Sequence, residues 1–196
     1  MKLLIATRNA GKVKEMQHAF AGRGFELVSL DEAGVDKDFV VEETAETFVG
    51  NAELKARGYG DKAGMLTLAE DAGLMVDVLG GRPGVLSARY CEGSDEDRYR
   101  KLLNELKDLS DEERGAQFVA VIVIYNPADG SLKTCEGICR GRILSEPRGT
   151  GGFGYDPVFY YAELKKTFGE LSASEKDAVS HRGIALKKAI DIMSGV

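Results

Sequence analysis

Three cysteines and two histidines are all that 196 residues offer to a soft metal or a disulfide framework. Cys91, Cys135 and Cys139 are an odd set, which argues against a disulfide scaffold and for a reducing compartment. With only His18 and His181 to join them, Cys135 and Cys139 read as buried thiols on one face of a strand, not as zinc ligands. No apolar run approaches the roughly 20 residues that cross a bilayer. The first residues read as a strand, with no charged-then-apolar leader, so a cytoplasmic location is expected. Positive charge is also short: 26 Lys and Arg stand against 32 Asp and Glu, a net charge of −6. That excludes broad electrostatic binding to nucleic acid or an anionic membrane. A chain this acidic that handles phosphates must concentrate its cations locally. No internal repeat, low-complexity tract or linker interrupts it, so residues 1–196 are expected to form a single domain.

What is present alternates strand and helix. Residues 2–6 read as a buried strand and 13–21 as a helix with Val13, Met16 and Phe20 inward. Glu26–Leu30 supplies a second strand, and 47–59 a helix with Phe48, Ala52, Ala56 and Tyr59 at helical spacing. Asn51 and Lys55 lie near that stripe, where an amide and a charge are unusual for pure core. Leu66–Ala69 and Leu74–Leu79 are expected as short strands around an acidic turn, E-D-A-G. Ser94 to Asp97 carries a capping-box pattern ahead of Tyr99, Leu102, Leu103 and Leu106. Phe118–Tyr125 and Leu132–Ile138 flank N-P-A-D-G, a hairpin signal. A strand at Pro157–Tyr160 and a helix over Gly183–Met193 close the chain. The expected class is α/β with a mixed sheet.

Five strings carry chemistry. T-R-N-A-G-K at 7–12 puts a hydroxyl, an amide, a glycine and an ammonium at the junction of strand and helix, where backbone amides and the helix dipole favour an anion. It is not the P-loop pattern: residue 6 is Ala, and Val13 stands where a magnesium-binding Ser or Thr is required. Glu42 and Glu43 precede the second helix; paired glutamates there serve either as a dipole-favoured first turn or as ligands to magnesium. A-E-D-A-G-L at 69–74 places two acids at a strand end, where a carboxylate can bind metal or take a proton from water. Beyond it, L-G-G-R-P-G-V-L-S-A-R-Y at 79–90 is a sharp loop carrying Arg82 and Arg89. G-T-G-G-F-G-Y-D-P at 149–157 offers flat aromatic faces among glycines, followed by an acid, and suits a heteroaromatic base. S-E-K-D-A-V-S-H-R-G at 174–183 groups Lys176, His181 and Arg182. Ser180 and His181 are neighbours in sequence and no G-x-S-x-G occurs, so a serine nucleophile is not expected.

In order along nearly the whole chain, these strings resemble the inosine triphosphate pyrophosphatase family. The resemblance implies an elongated mixed sheet flanked by helices, with two lobes around a central cleft, and a homodimer. It implies Mg²⁺-dependent cleavage of a purine nucleoside triphosphate (ITP, dITP or XTP) to the monophosphate and pyrophosphate. By the same resemblance Thr7, Arg8, Asn9, Ala10, Gly11 and Lys12 hold the triphosphate, and Glu42 with Asp71 organises magnesium. It also implies that Asp71 is the general base. Phe153 stacks on the purine, and Gly154, Tyr155, Asp156, Lys176, His181 and Arg182 complete the nucleoside pocket. The acidic turn departs from the Asp-Asp-Ser/Thr-Gly usual in bacterial members: Glu70 keeps the charge, but Ala72 has no hydroxyl, so its substrate contact falls to its backbone.

Overall fold

The computed structural model describes residues 1–195. A strand, a crossover helix and a second strand open the chain: β1 (Lys2–Ile5), α1 (Ala10–Phe20) and β2 (Glu26–Ser29). The crossover makes β1 and β2 parallel, with Lys2 opposite Glu26 and Ile5 opposite Ser29. Next come α2 (Phe48–Ala63), β3 (Thr67–Val76), α3 (Asp95–Glu105), β4 (Gly115–Asn126) and β5 (Ser131–Ile143). Short strands β6 (Phe159–Tyr161) and β7 (Lys166–Thr167) precede α4 (Ala173–Val179) and α5 (His181–Ser194). The strands form one mixed sheet in the order β2-β1-β3-β4-β5-β6-β7. Parallel pairs lie on one side of the order and the antiparallel pairs β5–β6 and β6–β7 on the other. The α/β class and mixed sheet expected from the sequence are therefore present.

The chain divides into two compact units. The first comprises 1–71, 120–137 and 182–196. Its core gathers Leu4, Leu30, Ala52, Ala56, Tyr59, Ala69, Val123 and Tyr125. Thr47 starts α2 by accepting the Gly50 amide on its hydroxyl, and Gly64, at φ 62°, ends it in the left-handed region. Gly60 permits the helix to lie close to the sheet: a Cβ there would come within 2.8 Å of the Tyr125 ring and 3.0 Å of Thr67.

The second unit comprises 72–119 and 138–181. Its core is aromatic, with Phe118 4.7 Å from Phe159 and Phe159 4.8 Å from Phe168, ring centre to ring centre. The capping box of α3 forms as its sequence requires, Ser94 and Asp97 each bonding the other's backbone amide.

Two boundaries shift from expectation in ways that bear on function. The acidic E-D-A-G is no turn, because β3 runs unbroken from Thr67 to Val76. Buried apolar residues on both sides of the acids keep this strand extended. Helix α1 starts at Ala10, not at residue 13, because Asn9 caps it through the Lys12 amide. Phe159 has no exposed surface. Phe159→Ala should therefore lower unfolding free energy by about 3–5 kcal/mol, read from urea transitions; a shift below 1 kcal/mol would mean the aromatic core collapses around the gap.

Candidate active site

Period two in a strand decides how the acids of β3 are used, since adjacent side chains leave opposite faces. Glu70 and Asp71 accordingly meet different helices. On one face Glu70 takes a two-pronged contact from Arg182 at the start of α5, at 2.9–3.1 Å. Arg182 also donates to Glu15 of α1 at 2.5 Å, and the Lys12 ammonium stands 3.9 Å from Glu70. Arg182 is 3% exposed and Glu70 1%. Burial opposes the guanidinium charge, but the carboxylates of Glu70 and Glu15 outweigh it and push its pKa further up.

On the other face Asp71 meets α2. Lys55 donates to Asp71 at 3.2 Å and to Glu43 at 3.0 Å, placing one ammonium between two carboxylates. Asn51 turns its amide nitrogen to Asp71 at 3.4 Å, while its oxygen accepts the Ala45 amide at 2.9 Å. The loop ahead of α2 is thereby fixed at the acids. Burial pushes the Asp71 carboxyl above the ordinary range; Lys55 and Lys12 pull it back and Glu43 adds to the rise. Burial likewise lowers the Lys12 ammonium, against the pull of Glu70. A carboxyl with a raised pKa holds its proton more tightly than an ordinary aspartate, a property that suits proton transfer.

The 7–12 string supplies a helix start. Thr7 accepts the Asn9 amide at 3.2 Å and Asn9 accepts the Lys12 amide at 3.0 Å. Both side chains use acceptors there, and the Thr7 hydroxyl and Asn9 amide group still carry hydrogens to donate. Ala10, Gly11 and Lys12 form the first turn of α1, at its positive dipole end. Arg8 behaves differently. Its guanidinium donates to the carbonyls of Val35, Asp36 and Phe39 at 2.8–3.3 Å. Three carbonyls of the following loop hold it, with the Asp31 carboxylate 3.7 Å away.

In the second unit the glycine-rich loop folds around Asp156. Its carboxylate accepts the Phe153 amide at 2.9 Å and the Lys176 ammonium at 2.6 Å, with both charges buried. The ammonium also lies 4.8 Å from the Phe153 ring centre. Gly152, at φ 73°, is obligatory, since a Cβ would stand 1.9 Å from the Asp156 carboxylate. The Tyr155 hydroxyl donates to the Ser87 carbonyl at 2.9 Å, and burial drives its pKa well up, so it stays a neutral strut. His181 stacks on Phe118 at 4.5 Å and lies parallel to Phe168, which also faces Lys176.

The predicted residues thus fall into two sets. Phe153, Gly154, Tyr155, Asp156, Lys176 and His181 belong to the second unit, as does Ala72 of β3, while Arg182 belongs to the first with Lys12 and Asp71. The guanidinium of Arg182 is engaged by the carboxylates of Glu70 and Glu15. Glu42 is exposed, and the carboxylate that reaches Lys55 is Glu43. Glu43, a candidate magnesium ligand beside Glu42 in the sequence, enters the site, as do Glu15, Asn51 and Lys55, which were not assigned to it. For Asn51 and Lys55 the signal was their place on an otherwise apolar helical stripe; Glu15 carried none. Among the described residues no three acidic, imidazole or thiol groups converge as a ready-made metal cage. The donor set fits magnesium nonetheless, because that ion takes one or two carboxylates and fills its remaining positions with phosphate oxygens and water.

The Ham1 family model matches residues 3–192. The dITP/XTP pyrophosphatase of Escherichia coli O157:H7 is 46% identical, covering 98% of each chain. That of Symbiobacterium thermophilum is 45% identical over 97% of this chain and 93% of its own. Among solved structures, a HAM1 protein from Coxiella burnetii superposes with a TM-score of 0.90 at 36% identity, covering 100% of both chains. The Staphylococcus aureus Ham1 protein gives 0.88 at 37% identity, over 100% of this chain and 99% of its own. The chain belongs to the Ham1 family.

The raised pKa of Asp71 carries a sign for stability. The folded carboxyl holds its proton above the ordinary value of 3.8. The fold is therefore favoured while Asp71 is protonated, and loses that contribution as pH rises through the raised pKa. In magnesium-free buffer at neutral pH, Asp71→Asn should be more stable than the wild type, with the difference closing as pH falls towards 3.8. Urea midpoints at both pH values check this; a less stable variant at neutral pH reverses the assignment.

Proposed function

We propose that this protein hydrolyses the non-standard purine nucleoside triphosphates ITP, dITP and XTP to the monophosphate and pyrophosphate, removing them from the nucleotide pool. The observation that carries the reading is Asp71, a buried carboxylate of raised pKa paired with Lys55 and within the electrostatic reach of Lys12 at a helix start suited to phosphate. The names of the E. coli and S. thermophilum relatives point to the same substrates.

In this reading Lys12, the amides of Ala10 and Gly11, and the donor ends of Thr7 and Asn9 bind the triphosphate. Asp71 takes the proton from the attacking water. Lys55 holds Asp71 in place and limits how far its pKa rises. Asp71 and Glu42 would hold Mg²⁺, with Glu43 beside them; the ion supplies charge neutralisation at the phosphate oxygens when bound. Phe153 stacks on the purine, and Gly154, Tyr155, Asp156, Lys176 and His181 shape its pocket, with the Ala72 backbone as a further contact. A 6-oxo group accepts a hydrogen bond where the amino group of adenine donates, so donors in this pocket favour hypoxanthine and xanthine. Arg182 contributes through Glu70 and Glu15. We further propose a single catalytic domain acting as a homodimer in the cytoplasm.

A substrate panel of ITP, dITP, XTP, GTP and ATP, with and without Mg²⁺ and with pyrophosphate quantified, tests the reading. Turnover should be confined to the first three and require the metal. Tight ITP binding without pyrophosphate release would instead make the protein a nucleotide sensor. Asp71→Asn should reduce kcat by roughly 10²-fold or more, the size of a general-base contribution. Lys12→Ala should raise KM by about tenfold or more through the loss of a charge-assisted contact. Near-normal kcat in folded Asp71→Asn would remove Asp71 from the chemistry.

A further inference from the structure

The loop read above as the purine platform is held from outside by a residue with no part in its chemistry. We propose that Asp95 is a positioning residue for purine recognition: its carboxylate, in the first turn of α3, fixes the Gly154 amide and with it the presentation of Phe153 and Asp156. The inference rests on the nucleoside role assigned to that loop.

One oxygen of Asp95 accepts the Gly154 amide at 2.7 Å, across 59 residues of sequence. The other accepts Arg98 of the same helix at 2.7 Å, and Arg98 is itself tethered to the Gly93 carbonyl at 2.9 Å. The carboxylate is thus aimed by its own helix and spends its remaining acceptor on the loop. Helix capping does not need it, because the capping box consists of Ser94 and Asp97. A carboxylate accepting a backbone N–H makes a short bond, stronger than a neutral one. Here it falls on Gly154, at φ 64°, between the residue that carries the stacking ring and the tyrosine strut. The flanking amides are held from elsewhere: Gly151 donates to Gly169 and Phe153 to Asp156. Removing the Asp95 contact releases the middle of a loop whose ends stay anchored, which loosens the ring's position without unfolding the unit.

The test uses the full chain and three variants. For Asp95→Ala, hydrogen exchange at the Gly154 amide should accelerate. Its KM for ITP should rise about tenfold with kcat held within about twofold, because a contact to the base rather than to the reacting phosphate contributes uniform binding. The preference for ITP over GTP should narrow. Asp95→Asn keeps an acceptor oxygen and should recover KM to within about threefold of the wild type. Ser94→Ala weakens the same helix start by about 1 kcal/mol but leaves the Gly154 bond, so KM and preference should not move. Wild-type exchange and KM in Asp95→Ala would overturn the proposal, as would an equal shift of preference in Ser94→Ala. Equilibrium affinity for ITP, measured without Mg²⁺, separates the two levels of inference. A wild type that binds ITP without cleaving it fails the proposed activity yet still reports on Asp95 through affinity, whereas one that does not bind ITP overturns both.

Discussion

The ammonium of Lys55 stands 3.0 Å from Glu43 and 3.2 Å from Asp71 on a helix face that otherwise packs as core. A buried charge without a partner costs several kcal/mol, and Lys55 is met by two carboxylates, Glu43 and Asp71. That requirement governs the surrounding structure. It demands a β3 that continues through its acids, and an α2 that approaches closely, which Gly60 permits. It also demands a loop fixed at residue 45, which Asn51 provides. Each feature is local, and each is needed to bring opposite charges together out of water.

The same constraint acts on the reverse face of β3, where Arg182 is shared by Glu70 and Glu15. There the guanidinium joins three segments far apart in sequence: the first helix, the third strand and the last helix. A planar fork with five donors can serve two carboxylates at once, and a lysine in its place could not reproduce both contacts. In the second unit Lys176 and Asp156 repeat the device beneath the glycine-rich loop. Burial in each case raises the strength of the pairing and makes the geometry stiff, and stiffness is what a site needs to hold reacting groups in register.

Much of this was legible in the sequence because local rules and global fold agree. The apolar run of β1, the capping pattern at Ser94 and the N-P-A-D-G hairpin all appear where their chemistry puts them. The T-R-N-A-G-K string was readable as a helix start, and the functional strings were specific in their order. Partner choice was not readable. The resemblance gives Arg8 to the triphosphate, but no spacing rule foretells its contacts to carbonyls of residues 35–39. Glu15 looked like any exposed helical acid until a helix some 167 residues away supplied Arg182. The E-D-A-G segment looked like a turn because glycine and two acids favour one. Burial on both faces overrode that preference.

In the proposed function, the pairing that orders the first unit also sets the terms on which a triphosphate can enter. In the resting protein Lys12 faces Glu70, while Lys55 faces Glu43 and Asp71. An incoming phosphate must compete with these carboxylates for the same ammonium groups, so its net gain is the difference between two ionic contacts and not the whole of one. Lys12 is the more readily recruited: its contact to Glu70 is long at 3.9 Å, its side chain is 17% exposed, and Glu70 keeps Arg182 when Lys12 turns away. Lys55 is 10% exposed and serves two short contacts, so it remains with the acids and keeps the Asp71 carboxylate in position. In the proposed function, two lysines of like charge therefore divide the work by how strongly each is already bound, Lys12 taking phosphate and Lys55 holding the Asp71 carboxylate.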